Sequence, residues 1–438
     1  MAGNKFALIH LGNEESYGLL FAADELAKHG EIKFFDAEMG TVADIVNWSP
    51  DYICFSPMTT FYEVAKSIEW HVKHHSNKKV KSIYGGHHAS NCGTECGDIT
   101  VVGSCSGINP AISGIYNGGS VKPDQLHTPR RAEYFRDIPR MESRYRKVML
   151  SVTGCPWTCT YCSSGGACKE LKHRDIEDII HEARVIKNNT QEIEWVDDDV
   201  FYGDKDWLRA FYKRWTDEIG IPMYVSTTSI SALKAPPDLL KQMRGVVNCI
   251  GLGVQAARPS SLELLGRKWD NMEQVKAAYD YLTSFGFRVN LQGIVGLPTI
   301  DPVEDALDTV EAIRKIGPGS VCSIYPLQIY PNTKMEKYCK DNLWTLNPAC
   351  TGDTNSGLPA IDFGEQDNNR IRNICKLATM MVKYNIGQPW LYSMLDMDLS
   401  GASKNMSMVR YYECVRDRLP DKADKIFSDI VKGMNVRY

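Results

Sequence analysis

Short apolar runs alternate with amphipathic stretches through the first third of the chain. Apolar side chains at positions 61, 64, 65, 68 and 72 follow the i, i+3, i+4, i+7 spacing of one helix face. Strands that alternate with helices predict a parallel, doubly wound α/β sheet. The predicted strands cover residues 5–10, 32–35, 51–56, 80–84 and 99–102, and another helix is predicted over 17–28.

The same alternation returns in the middle of the chain and stops near residue 335. Six consecutive strand–helix units predict a partial (β/α)6 TIM-type barrel, in which the carboxyl ends of the strands carry the chemistry. The strands are predicted at 148–152, 192–196, 223–227, 247–254, 288–295 and 321–324, with helices at 176–186, 207–219, 272–284 and 302–315. Helical periodicity at 371–381, 404–418 and 423–431 then predicts a mainly helical C-terminal cap over the barrel mouth.

These patterns divide the chain into four parts. Residues 1–125 are expected to form a Rossmann-like (flavodoxin-like) domain, 146–335 the barrel, and 336–438 the cap. Residues 126–145 are polar, contain two prolines and show no clear period, so they are interpreted as a linker packed on the surface.

Composition excludes several classes of function. The 438 residues carry a net charge of -4 and no block of Lys or Arg, so a nucleic-acid partner is not expected. No apolar run approaches the roughly 20 residues that cross a bilayer, and no signal peptide is visible. Fourteen cysteines without such a signal predict reduced thiols and a cytoplasmic location.

The chain's most informative stretch is a loop with three cysteines, which follows the first predicted barrel strand. Cys155, Cys159 and Cys162 have CxxxCxxC spacing. Iron–sulfur clusters usually have four thiolate ligands, so three would leave one iron open. The alternative is a structural zinc site, but zinc requires four ligands, and Cys168 is the only other cysteine close by.

This loop resembles the signature of the radical S-adenosylmethionine (SAM) enzymes. The resemblance implies a [4Fe–4S] cluster on the three cysteines, with SAM bound to the open iron and cleaved reductively to a 5′-deoxyadenosyl radical. An acidic residue after the second barrel strand would contact the SAM amino group. The SAM-binding residues that the resemblance implies are Tyr161, Asp198, Ser226, Gln255 and Ile294.

The first domain resembles the cobalamin-binding domain that one branch of these enzymes carries. The resemblance lies in residues 17–20, 56–60 and 85–87, which follow predicted strands; glycines there let a backbone approach a ligand closely. No Asp-x-His-x-x-Gly run is present, which implies a base-off cobalamin whose lower face meets residues 56–62. The implied contacts are Gly12, Tyr17, Ser56, Met58, Thr59, Thr60, Gly85, Gly86, His87 and Gly103.

Two features of this domain leave the ligand open. The run at 103–107 differs from the Gly-Glu-Gly that the family usually has after the fifth strand, and a domain that binds no ligand is the alternative. His87 and His88 are placed at a strand end, where neighbouring side chains point to opposite sides, so contact with the cobalamin tail is favoured over a shared metal.

The resemblance as a whole implies a cobalamin-dependent radical SAM enzyme of the methyltransferase-like branch, which methylates an unactivated carbon. A cyclisation or rearrangement of the tetrapyrrole type, and a radical SAM enzyme with a vestigial cobalamin domain, are the alternatives. The expected partners are a small-molecule or peptide substrate and an electron donor such as flavodoxin or ferredoxin. The substrate-pocket residues are predicted to be Tyr325, Gln328, Tyr330 and Trp390.

Overall fold

The computed structural model describes residues 3–38, 40, 42–92, 96–102, 129–163, 171–347, 357–387, 392, 394–397, 399, 425 and 428. The strands are β1 (Asn4–His10), β2 (Gly30–Asp36), β3 (Tyr52–Phe55), β4 (Lys81–Tyr84), β5 (Ile99–Thr100), β6 (Arg146–Met149), β7 (Val152–Thr153), β8 (Lys172–His173), β9 (Glu192–Trp195), β10 (Met223–Thr228), β11 (Val247–Gln255), β12 (Arg288–Val295) and β13 (Val321–Pro326). The helices are α1 (Tyr17–Ala27), α2 (Val42–Trp48), α3 (Tyr62–His75), α4 (Gly86–Cys92), α5 (Arg131–Asp137), α6 (Pro139–Glu142), α7 (Ile176–Ile186), α8 (Lys205–Glu218), α9 (Ser229–Leu233), α10 (Pro237–Met243), α11 (Pro259–Leu264), α12 (Met272–Ser284), α13 (Pro302–Ile316), α14 (Lys334–Asp341) and α15 (Glu365–Lys383).

The first domain is a five-stranded parallel sheet with the order β2-β1-β3-β4-β5. This is the flavodoxin-like order, and it confirms the predicted doubly wound fold. Chain order reverses direction between β1 and β3, so the crevice at their carboxyl ends is where a ligand of such a sheet binds. The loops that follow β1, β3 and β4 therefore line the expected ligand edge.

The second domain is a curled half-barrel of six parallel strands in the order β13-β12-β11-β10-β9-β6. Each strand lies beside the next one along the chain, as the predicted (β/α)6 barrel requires. The short strands β7 and β8 pair antiparallel and stand outside this sheet. They bracket residues 154–171, so the cysteine loop leaves and rejoins the barrel at one place.

Residues 129–145 differ from the expected surface linker. Helices α5 and α6 form here, and Pro139 occupies the first turn of α6, where its missing N–H costs nothing. The side chains of Tyr134 and Met141 are fully buried. Tyr134 packs edge-to-face on Phe34 of β2, with ring centroids 5.2 Å apart. The segment is therefore part of the core, and the prediction of a surface linker was wrong there.

A buried cluster of charged side chains joins the two domains. Arg131 forms ion pairs with Glu15 at 2.7 Å and Glu182 at 3.0 Å, and Arg174 pairs with Glu182 at 2.7 Å. The Tyr17 hydroxyl donates to Glu182 at 3.0 Å. All five side chains are less than a tenth exposed. Two carboxylates and two guanidinium groups balance in charge, as burial requires.

This cluster also completes the outer edge of the half-barrel. The backbone N–H of Val148 donates to Glu15 at 2.7 Å, and its carbonyl accepts from Arg131. The carbonyl of Leu150 accepts from Arg174 at 2.9 Å. An edge strand otherwise leaves such groups unpaired, so charged side chains here take the place of a neighbouring strand along β6.

The C-terminal helix α15 was predicted from its periodicity and is confirmed. It packs along the opposite edge of the half-barrel, where Thr379 donates to the carbonyl of Cys322 in β13 at 3.4 Å. The predicted helices at 404–418 and 423–431 lie almost entirely outside the described residues. No helix in the described part of the chain has the length and apolarity needed to cross a bilayer.

The buried cluster predicts a large effect of removing one charge. Glu182→Gln keeps the shape of the side chain but leaves two buried guanidinium groups undercompensated, which costs about 3–5 kcal/mol of unfolding free energy. Chemical denaturation followed by circular dichroism measures this loss. Glu177→Gln on the exposed face of the same helix is the matched control and is expected to unfold with the wild-type midpoint. Equal midpoints for both variants would contradict the role of the cluster.

Candidate functional site

The three cysteines of the loop lie together at the carboxyl edge of the half-barrel. The side chains of Cys155 and Cys159 are buried, and Cys162 is partly exposed. Burial raises the pKa of the Cys155 thiol to about 12, and the neighbouring Asp198, Cys162 and Cys159 add to the rise. The Cys155 thiol therefore lies within electrostatic range of the other two thiols and of the Asp198 carboxylate.

The cysteine loop is held by elements far away in sequence. The backbone N–H of Thr160 donates to Leu265 O at 3.1 Å, and its hydroxyl donates to Leu264 O at 2.6 Å. The N–H of Met335, in the first turn of α14, donates to Thr160 O at 2.9 Å. Gly266 has a φ of +72°, and a Cβ there would lie 3.1 Å from the carbonyl oxygen of Thr158. A glycine is therefore needed where the two loops touch.

Three consecutive aspartates follow β9 and point in different directions. Asp197 is buried and accepts from the backbone N–H groups of Ser151 at 2.7 Å and Val152 at 3.0 Å. Asp199 is also buried and accepts from Trp157 Nε1 at 3.1 Å. Asp198 between them is exposed and lies within electrostatic range of Cys155. The predicted residue, Asp198, is thus the exposed member of the run, and its two neighbours hold the cysteine loop and the residues before it.

The end of β11 is strained where another predicted residue lies. Gln255 has a φ of +64°, and the pairing of β11 with β12 shifts register between Gly253 and Gln255. A Cβ on Gly253 would lie 2.6 Å from the Gln255 side-chain nitrogen, so the amide folds back over that glycine. Strained non-glycine residues are concentrated at functional sites. Ser226 and Ile294, on β10 and β12, are partly exposed.

Arg267 is a residue of this site that sequence reasoning missed. Its buried guanidinium pairs with Asp270 at 2.6 Å and donates to Gly253 O at 3.3 Å. It stacks on Trp269 at 4.4 Å, and it lies within electrostatic range of Cys159 and Tyr161. Burial raises the pKa of Tyr161 well above its ordinary value. A single arginine in a loop has no spacing signal that could have revealed this position.

The ligand edge of the first domain brings several of the predicted residues together. Ser56, after β3, lies between Gly18 and Gly86: a Cβ on these glycines would lie 2.7 Å and 2.3 Å from its hydroxyl oxygen. Gly12, after β1, has a φ of +79°, and its Cβ would lie 2.5 Å from the ring of Phe61. Close approach thus requires glycine at all three positions.

The other residues predicted at this edge differ in their exposure and surroundings. Met58 is exposed, while Thr59 and Thr60 are partly exposed in a 3-10 turn before α3. Gly85 has almost open space at its Cβ position, since only Val101 O lies within 4 Å, at 3.9 Å. Gly103 lies outside the described residues.

Two expectations about this edge were wrong. The Tyr17 side chain is buried in the charge cluster between the domains, so it does not reach the ligand edge. His87 and His88 lie in helix α4, where alternation between opposite sides does not apply. The ring of His88 is buried and stacks on Tyr62 with centroids 4.0 Å apart.

The predicted substrate residues are placed differently from one another. Tyr325 on β13 is 38% exposed, and Tyr330 is partly exposed. Gln328 is buried, and its amide nitrogen donates to Pro326 O at 3.3 Å and Leu358 O at 3.4 Å. Because these bonds tie it to the backbone, its placement suits a structural role. Trp390 lies outside the described residues.

Comparisons with known proteins agree with this geometry. Residues 149–313 match the family model described as the Radical SAM superfamily. No curated protein matches the sequence. The structure is similar to that of the cobalamin-dependent S-adenosylmethionine radical enzyme OxsB with aqua-cobalamin bound, with a TM-score of 0.64 and 12% identity, covering 98% of this chain and 75% of OxsB.

A second similar structure is the radical S-adenosylmethionine methyltransferase TsrM from Kitasatospora setae, with cobalamin and a [4Fe–4S] cluster bound. The TM-score is 0.61 at 13% identity, and the alignment covers 78% of this chain and 75% of TsrM. Similarity at this level of identity establishes a shared fold. The chain therefore carries a radical SAM domain over residues 149–313 and has the fold of cobalamin-dependent radical SAM enzymes, as the sequence predicted.

Proposed function

We propose that this protein is a cobalamin-dependent radical SAM enzyme that methylates an unactivated carbon of its substrate. The observation that carries the proposal is the cysteine loop at the carboxyl edge of the half-barrel, with Asp198 exposed beside Cys155. A cytoplasmic location and an electron donor such as flavodoxin or ferredoxin belong to the same proposal.

The loop fits a [4Fe–4S] cluster, because its three cysteines would leave one iron of the cubane open. A structural zinc takes four ligands. Cys155, Cys159 and Cys162 would hold the cluster, and Arg267 would offset part of its negative charge.

The first domain fits cobalamin at the edge between β1 and β3. Gly12, Gly18 and Gly86 let the segments at this edge pack closely against Phe61 and Ser56, where any side chain would clash. Ser56 and the exposed Met58 lie on the loop that would meet the lower face. The loop after β1 also reaches the strand that leads to the cysteines, because Glu15 bonds to Val148. The two ligand edges therefore adjoin, which suits two cofactors that act on one substrate.

When bound, the cluster, SAM and methylcobalamin would supply a 5′-deoxyadenosyl radical and a methyl group. The protein's own residues position these groups. Asp198 would accept hydrogen bonds from the SAM amino group, since an exposed carboxylate beside the cluster suits an ammonium. Ser226, Gln255 and Ile294 would line the rest of SAM, together with the Tyr161 backbone.

Product analysis with methyl-labelled SAM tests the proposed reaction. The full chain, reconstituted without oxygen, is incubated with hydroxocobalamin, reductant and a library of small-molecule and peptide substrates. Label in a carbon–methyl bond of a product supports methyl transfer. An unlabelled, cyclised or rearranged product would contradict it, as would a visible spectrum that shows no bound cobalamin.

Removing one cysteine tests the cluster. Cys159→Ala is expected to lose iron and to form less than about 1% of the wild-type 5′-deoxyadenosine, because two thiolates cannot hold the cubane. Cys375→Ala, a buried cysteine of α15, is the control and should keep both. Circular dichroism checks that both variants fold. Undiminished SAM cleavage by Cys159→Ala would overturn the assignment.

Substitutions of the aspartates after β9 should distinguish a residue that supports the fold from one that binds SAM. Asp197→Asn places an amide among buried N–H donors and is expected to lower the unfolding free energy by about 2–4 kcal/mol. Asp198→Asn should unfold like the wild type but bind SAM at least tenfold more weakly. Thermal melts and equilibrium dialysis with labelled SAM measure the two effects. The reverse pattern would show that the assignments are interchanged.

Bulk at the first domain's ligand edge should expel cobalamin. Gly86→Trp introduces a side chain where even a Cβ would lie 2.3 Å from Ser56 Oγ. We expect loss of bound cobalamin, seen in the visible spectrum, while SAM cleavage stays measurable. Gly220→Trp is the matched control: its φ of +73° is similar, and no atom lies within 4 Å of its Cβ position. Cobalamin that remains bound to Gly86→Trp would contradict the placement.

A further inference from the structure

The inner face of the half-barrel carries a compact group of uncharged polar side chains that adjoins the proposed SAM site and shares Ser226 with it. Along β12, residues 289 and 291 are buried, and a Cβ on Gly293 would face Ile313 of α13, so these positions point outward. The alternate residues therefore face the interior of the barrel. The group, here called the polar floor, comprises Tyr224, Ser226, Asn290, Gln292 and Ser323.

The polar floor converges on a glycine. A Cβ on Gly251 would lie 2.5 Å from the Tyr224 hydroxyl, 2.9 Å from the Gln292 side-chain nitrogen and 3.0 Å from the Ser226 hydroxyl. Gly251 lies four residues before the end of β11, which places the floor about 13 Å below the barrel mouth at about 3.3 Å per residue. It is therefore deep enough to meet the part of a substrate that enters first.

The floor's hydrogen bonds leave both donors and acceptors available. The Tyr224 hydroxyl oxygen accepts from Asn290 Nδ2 at 3.0 Å and from Gln292 Nε2 at 2.9 Å. With both its lone pairs used, its hydrogen is directed elsewhere. Within the described residues, the Gln292 carbonyl oxygen and the Ser226 hydroxyl make no hydrogen bond. The floor can therefore donate from Tyr224 and accept at Gln292.

Charge around the floor is already balanced. One cation beside the floor is Arg146, whose guanidinium carbon lies 5.9 Å from the centre of the Tyr224 ring. It is engaged by Glu192 and by Glu194, the latter at 3.6 Å. An anionic substrate group would thus compete with two carboxylates for Arg146, and its loss of hydration would be poorly compensated.

We propose that the polar floor recognises an uncharged carboxamide of the substrate. The amide oxygen accepts from the Tyr224 hydroxyl, and the amide nitrogen donates to the Gln292 carbonyl, so both open positions are satisfied at once. A carboxylate in the same place offers no donor to Gln292 and adds an unpaired charge. This inference names a substrate class for the proposed barrel site and rests on that proposed function.

Matched amide and carboxylate probes test the inference. Binding of indole-3-acetamide and indole-3-acetate, and of benzamide and benzoate, is titrated by ligand-observed NMR on the full chain with its cofactors reconstituted. The amides are expected to bind at least tenfold more tightly. Tyr224→Phe and Gln292→Met should each weaken amide binding about tenfold, the loss expected for one hydrogen bond. Tyr338→Phe, at an exposed position of α14, is the control and should bind as the wild type does.

The outcomes separate this inference from the proposed function. Three results would overturn the inference: carboxylates that bind as tightly as amides, amide binding that neither floor variant weakens, or no binding of either the amide or the carboxylate of a pair. 5′-Deoxyadenosine formation is measured in the same wild-type preparation. SAM cleavage without amide preference contradicts the floor alone, and amide preference without SAM cleavage contradicts the radical SAM chemistry alone. If Tyr224→Phe does not fold, Gln292→Met still decides the question.

Discussion

The structure depends on how the outer edge of the half-barrel is closed at β6. A parallel sheet that stops at six strands leaves backbone groups unpaired along each edge, and these groups cannot stay unpaired when buried. Here Glu15, Arg131 and Arg174 supply the missing donors and acceptors. Their charges are balanced by Glu182, so the arrangement is stable only when all members are present. The first domain is therefore an integral part of the barrel wall.

The same strand leads directly to the cysteine loop, which is supported from several sides. Asp197 ties the residues before the loop to the end of β9, and Asp199 holds Trp157 within it. The carbonyls of residues 264 and 265 bind the middle of the loop at Thr160. Asp198, between these two supports, is the exposed member of the run. A run of three identical residues thus serves two purposes, because alternate side chains after a strand point in opposite directions.

The arrangement of strands and helices could be predicted from the sequence because burial imposes a period on the pattern. The six barrel strands and helix α15 are close to their predicted positions. The burial of residues 131–142 was not predicted, because Arg131 is polar and its burial depends on partners that are distant in sequence. No local pattern reveals such partners.

Side-chain direction was the less predictable part of the site. Tyr17 was chosen for its place after the first strand, yet its hydroxyl turns toward Glu182. His88 was interpreted as the end of a strand, whereas the chain starts a helix at Gly86. Arg267 was missed because it acts through neighbours that the fold assembles. Motifs thus located the edges of both sheets, while tertiary contacts decided which side chains reach them.

The attachment of the cysteine loop to Leu265 and Met335 has a consequence for maturation. These anchors belong to segments synthesised roughly a hundred and more than a hundred and seventy residues after the loop itself. Until they emerge and fold, the three sulfurs have no fixed surroundings. The loop therefore reaches its folded surroundings only when the segments that carry Leu265 and Met335 are in place.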